Sequence, residues 1–339
     1  MNNKKFSFSK IFRVVISIII LFLLLNVIPT GYNLLAPGIV QDLSEIITVE
    51  NGNSDHEGAF YLTAVVSPQA HVWDYIYVTL FNPRDIELVP REEQIPPDVD
   101  RNEFQEIMFE MMEESQKQAQ AIAFEKAGID YEVNGDGVEV VEFVPEGTAE
   151  EFLEKEDLIT EIDGQKVEFA TDAVDLIQKR EIGDSVEITV LRDEEELTFS
   201  LSTKELENNP GLPSIGVYIT TKNLEFDFSR NVNFSTEGIG GPSAGGMFVL
   251  EIYNQLVDGD ITSGLNIAGT GSVSMDGKIN EISGVKQKVI AAQKENIDIF
   301  FVPQANYAAA KEVATEMEIV EINDVEEALE YLEERKKQI

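Results

Sequence analysis

The most prominent candidate for chemistry in this sequence is a serine surrounded by glycines. Ser243 lies in the string GGPSAGG, residues 240–246, and the apolar string MFVLEIYNQL follows it. Glycine lets the backbone bend sharply, and the start of a helix leaves backbone N–H groups unpaired that can hold an oxyanion. The string therefore predicts a nucleophilic serine supported by Gly241 and Ala244. A plain helix-capping serine is the alternative interpretation.

A nucleophilic serine needs a base, and the two histidines of the chain do not fit that role. The string also matches G-x-S-x-G, the nucleophile turn of α/β-hydrolases, in which a histidine must follow the serine. His56 and His71 both precede Ser243. A second signature, S-x-x-K, starts at Ser283, but the Lys-Thr-Gly of penicillin-recognising enzymes does not follow it. Lysine remains as the candidate base.

Two lysines stand near a predicted helix start in the stretch NEISGVKQKVIAA, residues 280–292. Lys286 and Lys288 are two residues apart, so on a helix they point in different directions. Lys288 precedes Val289 and Ile290. We expect it to be buried and Lys286 to face water. Burial disfavours the ammonium form and lowers the pKa of a lysine, which is what a lysine base requires. A solvated helix charge is the alternative for either residue.

The composition limits the classes of function. The 339 residues include 63 acidic and 25 basic side chains, a net charge of −38. Nucleic acid is therefore not expected as a partner, because phosphate binding needs lysine and arginine. The chain has no cysteine, which excludes disulfides, thiolate catalysis and thiolate metal sites. We expect no metal and no cofactor.

The N-terminus predicts a membrane anchor. A mainly apolar run over residues 14–28 follows the basic residues Lys4, Lys5, Lys10 and Arg13. The run approaches the length needed to span a bilayer, and the charge asymmetry places the N-terminus in the cytoplasm. We expect a cytoplasmic segment at 1–10, a transmembrane helix at 11–30 and an extracellular remainder. A cleaved signal peptide is the alternative.

The rest of the chain divides into four predicted segments. Residues 40–95 predict strands, including GAFYLTAVV at 58–66 and the β-prone string VWDYIYVTL at 72–80. Residues 100–127 predict a helix whose methionine and phenylalanine stripe indicates core packing, with a peptide-binding face as the alternative. Residues 130–205 predict a β-rich module. Residues 212–335 predict mixed α/β layers that begin with strands at 214–220 and 224–228. The expected fold class is α+β.

The β-rich module resembles a PDZ domain of the bacterial protease type. The resemblance rests on GVEVVEFVPEGTAEEFLEKEDLITEIDGQKVE and on the helical string DAVDLIQKR. PDZ domains bind extended peptides by adding a strand to a sheet edge. The resemblance implies a peptide groove between the strand at 138–144 and the helix at 172–179. Val138, Val140 and Val141 are the expected contacts.

The last segment resembles the proteolytic domain of the Lon family. The resemblance rests on GPSAGGMF followed by IAGTGSVSMDGKINEISGVKQKVIAA. It places Ser243 on the nucleophile, Lys288 on the base and Thr270 on the threonine that helps to position this lysine. Gly240 occupies a position where Lon commonly has an acidic residue, so the resemblance assigns no acidic residue to the site. The string G-x-x-x-x-G-K-[ST] of ATP-binding loops does not occur in the sequence.

Taken together, these segments resemble the membrane-anchored, PDZ-containing Lon-like proteases of Gram-positive bacteria. The resemblance implies a PDZ module inserted within the protease domain, so that GAFYLTAVV joins the catalytic sheet. It further implies a serine endopeptidase that cuts extracytoplasmic peptides or membrane-linked small proteins without ATP, and it allows for a homo-oligomer. A non-catalytic extracellular PDZ scaffold is the alternative function.

Overall fold

The computed structural model describes residues 3–96, 99–206 and 209–337, with side chains except those of residues 3–9 and 209–210. The chain forms two compact units. Unit 1 joins the chain up to Asp130 with the chain from Ser229 onward, and unit 2 is Tyr131–Phe228. Unit 2 is therefore an insertion in the sequence of unit 1.

The first segment of unit 1 contains five strands and four α-helices in its described residues, and the last of these helices, α4, is the longest. Its elements are α1 (Asn3–Leu25), β1 (Pro29–Asp42), β2 (Ile47–Val49), β3 (Ala59–Val66), β4 (Gln69–His71), α2 (Val72–Phe81), β5 (Glu87–Pro90), α3 (Arg91–Gln94) and α4 (Arg101–Lys126).

Unit 2 is mainly β-structure with a single α-helix in its described residues. Its elements are β6 (Tyr131–Asn134), β7 (Val138–Phe143), β8 (Leu158–Ile162), β9 (Gln165–Lys166), α5 (Ala170–Gln178), β10 (Ser185–Arg192), β11 (Glu195–Ser202), β12 (Lys204–Leu206), β13 (Asn209–Ser214), β14 (Val217–Thr221) and β15 (Glu225–Phe228).

The second segment of unit 1 alternates strands and helices. Its elements are β16 (Val232–Phe234), α6 (Gly245–Leu256), β17 (Asn266–Gly269), β18 (Ser272–Val273), β19 (Ile279–Asn280), α7 (Val285–Ala292), β20 (Ile299–Pro303), α8 (Gln304–Val313), β21 (Glu318–Ile322) and α9 (Val325–Lys336).

One sheet combines both segments of unit 1. Its strand order is β21-β20-β17-β3-β1-β4, and β5 pairs with β1. β3 runs parallel to β17, with Phe60 opposite Ile267, whereas β1 runs antiparallel to β3. GAFYLTAVV thus contributes a central strand to the sheet that carries the elements around Ser243 and Lys288.

Helices cover both faces of this sheet. β20 has no exposed side chain, and neighbouring residues of a strand point to opposite faces. Phe300 packs in a core with Val289 of α7 and Ala310 of α8. Phe301 lies on the other face, where its ring meets Tyr331 of α9. α6 packs between that face and α4, which explains why its residues are almost all buried.

Unit 2 is a sheet with the order β11-β10-β8-β7-β14 around its own apolar core. The strands expected at 214–220 and 224–228 belong here, because β14 pairs with β7 and β15 pairs with β6. Their assignment to the α/β segment was therefore wrong, and the second segment of unit 1 begins at Ser229.

Two expectations for the N-terminal segment need correction. Residues 72–80 form helix α2 rather than a strand, because the Asp74 carboxylate accepts a hydrogen bond from the His71 backbone N–H and closes the first turn. Among the residues that the structure describes, no helix combines the length and apolarity needed to cross a bilayer. The transmembrane helix predicted at 11–30 is therefore unsupported: α1 ends at Leu25, and β1 starts at Pro29.

Candidate active site

Ser243 lies at the turn that leads into α6. The helix begins at Gly245, with Ala244 as its N-cap, so the half-buried Ser243 stands just before the first turn. Gly241 has a φ of +91°, a conformation that glycine adopts without strain. A Cβ on Gly245 would lie 2.8 Å from Ser115 Oγ, so the absence of a side chain allows α4 to approach. The glycines around Ser243 thus serve both the turn and the packing.

Lys288 reaches the same place from the first half of α7. The helix starts after Gly284, and Lys288 is only 2% exposed. Its neighbour Lys286 lies on the surface and forms an ion pair with Glu312 at 2.6 Å. The two lysines of the motif therefore have opposite environments.

The side chains of Ser243, Lys288 and Thr270 meet in one hydrogen-bonded group. Lys288 Nζ lies 2.6 Å from Ser243 Oγ and 2.9 Å from Thr270 Oγ1. The Thr270 hydroxyl donates to the Ser243 carbonyl oxygen at 3.0 Å, so its oxygen is free to accept from the lysine. The Gly271 N–H donates to the same carbonyl at 2.8 Å. Thr270 therefore connects the amine to the backbone of the serine.

Burial changes the acid–base chemistry of this amine. Removal from water lowers the pKa of Lys288 from 10.5 to about 7. No charged neighbour contributes to this shift. A substantial fraction of the amine is therefore neutral near pH 7 and can accept a proton.

Some of the backbone N–H groups around Ser243 already donate to acceptors of the protein. The Gly241 N–H donates to the carbonyl oxygen of Met108 at 2.7 Å. The Gly241 amide is therefore occupied, and the contribution of Gly241 to this place is the sharp turn. Within the described part of the chain, the N–H groups of Ser243 and Ala244 have no protein acceptor. These two amides are therefore unpaired donors next to the Ser243 hydroxyl.

A cleft of about 450 Å³ opens at Ser243. The strand β3, the helix α4, the turn before α6 and the turn before α7 form its walls. Its apolar side chains are Ile39, Leu62, Val65, Val66, Met108, Met112, Ile239 and Ile282. Each of these walls thus contributes apolar side chains to the space beside Ser243.

The methionine stripe of α4 was expected to pack in the core, but part of it lines this cleft. Met108 and Met112 lie in the cleft wall, and Met112 is buried there. This position corresponds to the alternative of a peptide-binding face, and no local signal in the string shows that α4 packs beside Ser243. Among the described residues, no group of three or more His, Asp or Glu side chains is placed to hold a metal ion.

The two histidines lie elsewhere in unit 1. His56 Nδ1 is 3.1 Å from Asn254 Nδ2, near the C-terminal end of α6. His71 precedes α2 and lies 3.5 Å from Asp74. Neither ring lines the cleft at Ser243. Of the side chains considered as a base, it is that of Lys288 that lies within hydrogen-bonding distance of Ser243 Oγ.

Unit 2 has a groove of its own, and β14 rather than the expected strand at 138–144 forms one side of it. Its volume is about 340 Å³, and it lies between α5 and β14, the strand at the open edge of the sheet. Its apolar lining includes Ile159, Ile162, Ala173, Val174, Ile177, Ile215 and Ile219.

The expected contacts on β7 are wrong. β7 pairs with β14 along one side, and on the other side it pairs with β8 at Val138 and Glu139, so this part of the strand has no free edge for an added strand. Val138 and Val140 are buried in the core of unit 2, and Val141 is exposed outside the groove. The groove could not be placed from sequence because β14, which forms its edge, comes almost eighty residues after β7.

Comparison with known proteins agrees with both units. Residues 237–334 match the family model of the Lon protease (S16) C-terminal proteolytic domain, and residues 126–203 match that of the PDZ domain. The Lon protease of Neorickettsia sennetsu is 35% identical over 95 residues, which is 27% of this chain and 11% of that protein. The Lon protease of Campylobacter jejuni is 33% identical over 96 residues, 27% of this chain and 12% of that protein.

Among solved structures, the PDZ domain of the SdrC-like protein from Listeria monocytogenes is 29% identical. The match covers 25% of this chain and 87% of that domain, with a TM-score of 0.23. The matched region spans only about a tenth of the length of the Lon proteases named above. The chain contains a Lon protease C-terminal proteolytic domain and a PDZ domain.

Proposed function

We propose that this protein is a serine endopeptidase in which Ser243 is the nucleophile and Lys288 is the general base. The observation that carries the proposal is the 2.6 Å distance between Lys288 Nζ and Ser243 Oγ at a buried site. The similarity to Lon protease domains supports the same class of reaction.

The burial of Lys288 explains how an amine can act as the base. The neutral amine accepts the proton of the Ser243 hydroxyl while Oγ forms a bond to the carbonyl carbon of the substrate. The N–H groups of Ser243 and Ala244 hold the resulting oxyanion. As the C–N bond breaks, the ammonium of Lys288 returns the proton to the leaving amine.

Hydrolysis of the acyl-enzyme repeats the same proton transfers with water. Lys288 accepts a proton from the attacking water and returns it to Ser243 Oγ as the acyl group leaves. Thr270 keeps the amine in line with the serine, because its hydroxyl contacts both Lys288 and the Ser243 carbonyl. No carboxylate is required in this cycle.

The pKa of Lys288 predicts how cleavage depends on pH. The amine must be neutral in the free enzyme, and burial lowers its pKa to about 7. Cleavage should therefore increase as the pH rises through about 7 and reach a plateau above it.

The PDZ unit is proposed to recruit peptides through the groove between α5 and β14. The open edge of β14 offers backbone groups for an added strand, and the apolar lining suits an apolar C-terminal side chain. Val174→Arg places a charge in this groove and should weaken binding of a peptide with an apolar C-terminus. Val141→Arg is the matched control, since Val141 is similarly exposed but lies outside the groove.

Cleavage is proposed not to need ATP, since the 339 residues contain no ATP-binding loop string. We infer that the substrates are short, extended or partly unfolded chains. A location at the outer side of a membrane and a homo-oligomer stay predictions. Membrane fractionation of cells that express the full chain and light scattering of the purified protein test them.

The test uses the full chain and an unstructured protein substrate, with and without ATP. We expect cleavage by the parent in both conditions, and none by Ser243→Ala or Lys288→Ala. Lys286→Ala is the matched control, because Lys286 belongs to the same motif but lies on the surface. Normal cleavage by Lys288→Ala would exclude the proposed base. Peptide binding without cleavage by the parent would favour the scaffold function.

A further inference from the structure

The long helix α4 holds the turn that carries the nucleophile. We call residues 236–244 the nucleophile loop. Gln116 Nε2 donates to Thr236 Oγ1 at 2.8 Å, and the Met108 carbonyl oxygen accepts from the Gly241 N–H at 2.7 Å. Ser115 Oγ donates to the Pro242 carbonyl oxygen at 3.2 Å. Three successive parts of the loop thus bond to one helix.

The contact between α4 and the loop is also close in space. A Cβ on Gly240 would lie 3.0 Å from Met108 Cβ, and one on Gly245 would lie 2.8 Å from Ser115 Oγ. Ser115 is 3% exposed. Little space therefore separates the helix from the loop, and the Ser115 side chain is shielded from water.

The bond from Ser115 has a specific consequence for the chemistry. The Pro242 carbonyl and the Ser243 N–H belong to the same peptide group, which is planar with the two bonds pointing in opposite directions. A donor that fixes the direction of the Pro242 carbonyl therefore fixes the direction of the Ser243 N–H. That N–H is one of the two amides available to an oxyanion.

We propose that Ser115 is a positioning residue that orients the Ser243 N–H towards the oxyanion, and that Gln116 fixes the start of the same loop. The proposal rests on the proposed function, because an oxyanion forms only if Ser243 attacks a carbonyl. Ser115 itself does not touch the substrate. It acts through the Pro242–Ser243 peptide group.

The effect of removing Ser115 Oγ should be partial. The Gly245 N–H also donates to the Pro242 carbonyl oxygen, at 3.1 Å. One of two donors remains in Ser115→Ala, so we expect kcat to fall about three- to tenfold, the range for one neutral hydrogen bond. The KM should change less than twofold, because oxyanion donors act in the transition state rather than on the bound substrate.

A boronic acid peptide provides a readout that a general loss of structure would not give. Its tetrahedral adduct with Ser243 places an oxygen where the oxyanion forms. We expect Ser115→Ala to weaken this inhibitor by the same factor as kcat, while the affinity for a product peptide stays unchanged. Ser115→Thr keeps the hydroxyl donor and should restore most of the inhibitor affinity.

Gln116 gives a second, independent variant with a matched control on the same helix. Gln116→Ala should lower kcat about two- to fivefold, and Gln116→Glu should recover it, since a carboxylate accepts from the Thr236 hydroxyl. Gln118→Ala is the control: Gln118 Nε2 donates to Glu114 on the exposed side of α4. This variant should match the parent in kcat.

The amide signals of Ser243 and Ala244 in a selectively ¹⁵N-labelled full chain complete the test. Their chemical shifts should move in Ser115→Ala and stay in place in Gln118→Ala. Unchanged signals together with unchanged inhibitor affinity in Ser115→Ala would overturn the positioning role. An inactive parent whose Ser243 amide does respond to Ser115→Ala would refute the proposed protease function instead.

Discussion

Replacement of Lys288 by methionine should stabilise the protein while it abolishes cleavage. The folded state keeps the amine at a pKa of about 7, whereas an exposed lysine has a value of 10.5. At 1.36 kcal/mol for each pKa unit, this difference opposes folding by about 4 kcal/mol at pH 7. Methionine has a similar volume and no charge, so it removes this cost without a cavity.

Part of this gain is offset by lost hydrogen bonds. The amine contacts the hydroxyls of Ser243 and Thr270, and each neutral bond contributes about 1 kcal/mol. The expected net gain in the free energy of unfolding is therefore about 2 kcal/mol at pH 7. The sign follows from a folded pKa below the unfolded one: the stability of the parent falls as the pH drops from 10.5 towards 7. The gain in Lys288→Met should shrink as the pH rises over that interval.

Urea unfolding followed by circular dichroism at several pH values between 7 and 10 measures this difference. Lys286→Met is the control, because Lys286 is a surface lysine whose ion pair contributes about 1 kcal/mol or less. A Lys288→Met variant that is less stable than the parent at pH 7 would refute the reasoning. So would a difference that does not change with pH.

Three further predictions concern other positions. Gly241→Ala should destabilise the protein by about 1–3 kcal/mol in urea unfolding and lower kcat, because φ is +91° and the new Cβ would lie 2.5 Å from Met108 Cε; a fully stable, fully active variant would contradict this. Burial raises the pKa of Glu251 to about 7, so the folded state binds a proton more tightly than the unfolded one, and stability should fall as the pH rises from 4.5 to 7. In urea unfolding, Glu251→Gln should remove this dependence of the free energy of unfolding on pH. An unchanged dependence would contradict the assignment to Glu251. Arg192→Met should destabilise unit 2 by about 3–5 kcal/mol, because it leaves the carboxylate of Asp157, which is 1% exposed, without its ion pair; melting of unit 2 at the parent temperature would exclude this role.

The two main site residues could be predicted from sequence because each lies in a distinctive local string. Ser243 stands among glycines, and Lys288 stands in an apolar helix start, so both were expected where the structure has them. The pairing itself joins residues 45 positions apart. Only the resemblance of both strings to Lon domains could connect them before a fold was known.

Features that depend on distant packing could not be predicted. The string at 72–80 is rich in β-prone residues, yet Asp74 caps a helix there and tertiary packing overrides local propensity. Ser115 meets Pro242 across 127 positions of sequence. The peptide groove of unit 2 depends on β14, whose place at the sheet edge is set by its pairing with β7. In each case the information lies in the topology rather than in the local string.

The pH dependence of Ser243 modification tests the central claim most directly. A fluorophosphonate reacts with an activated serine hydroxyl without any peptide recognition, and mass spectrometry identifies the modified residue. The account predicts that the labelling rate of the parent rises with an apparent pKa of about 7, and that Lys288→Ala loses this labelling while Lys286→Ala keeps it. Labelling of Ser243 at an undiminished rate in Lys288→Ala would contradict the account.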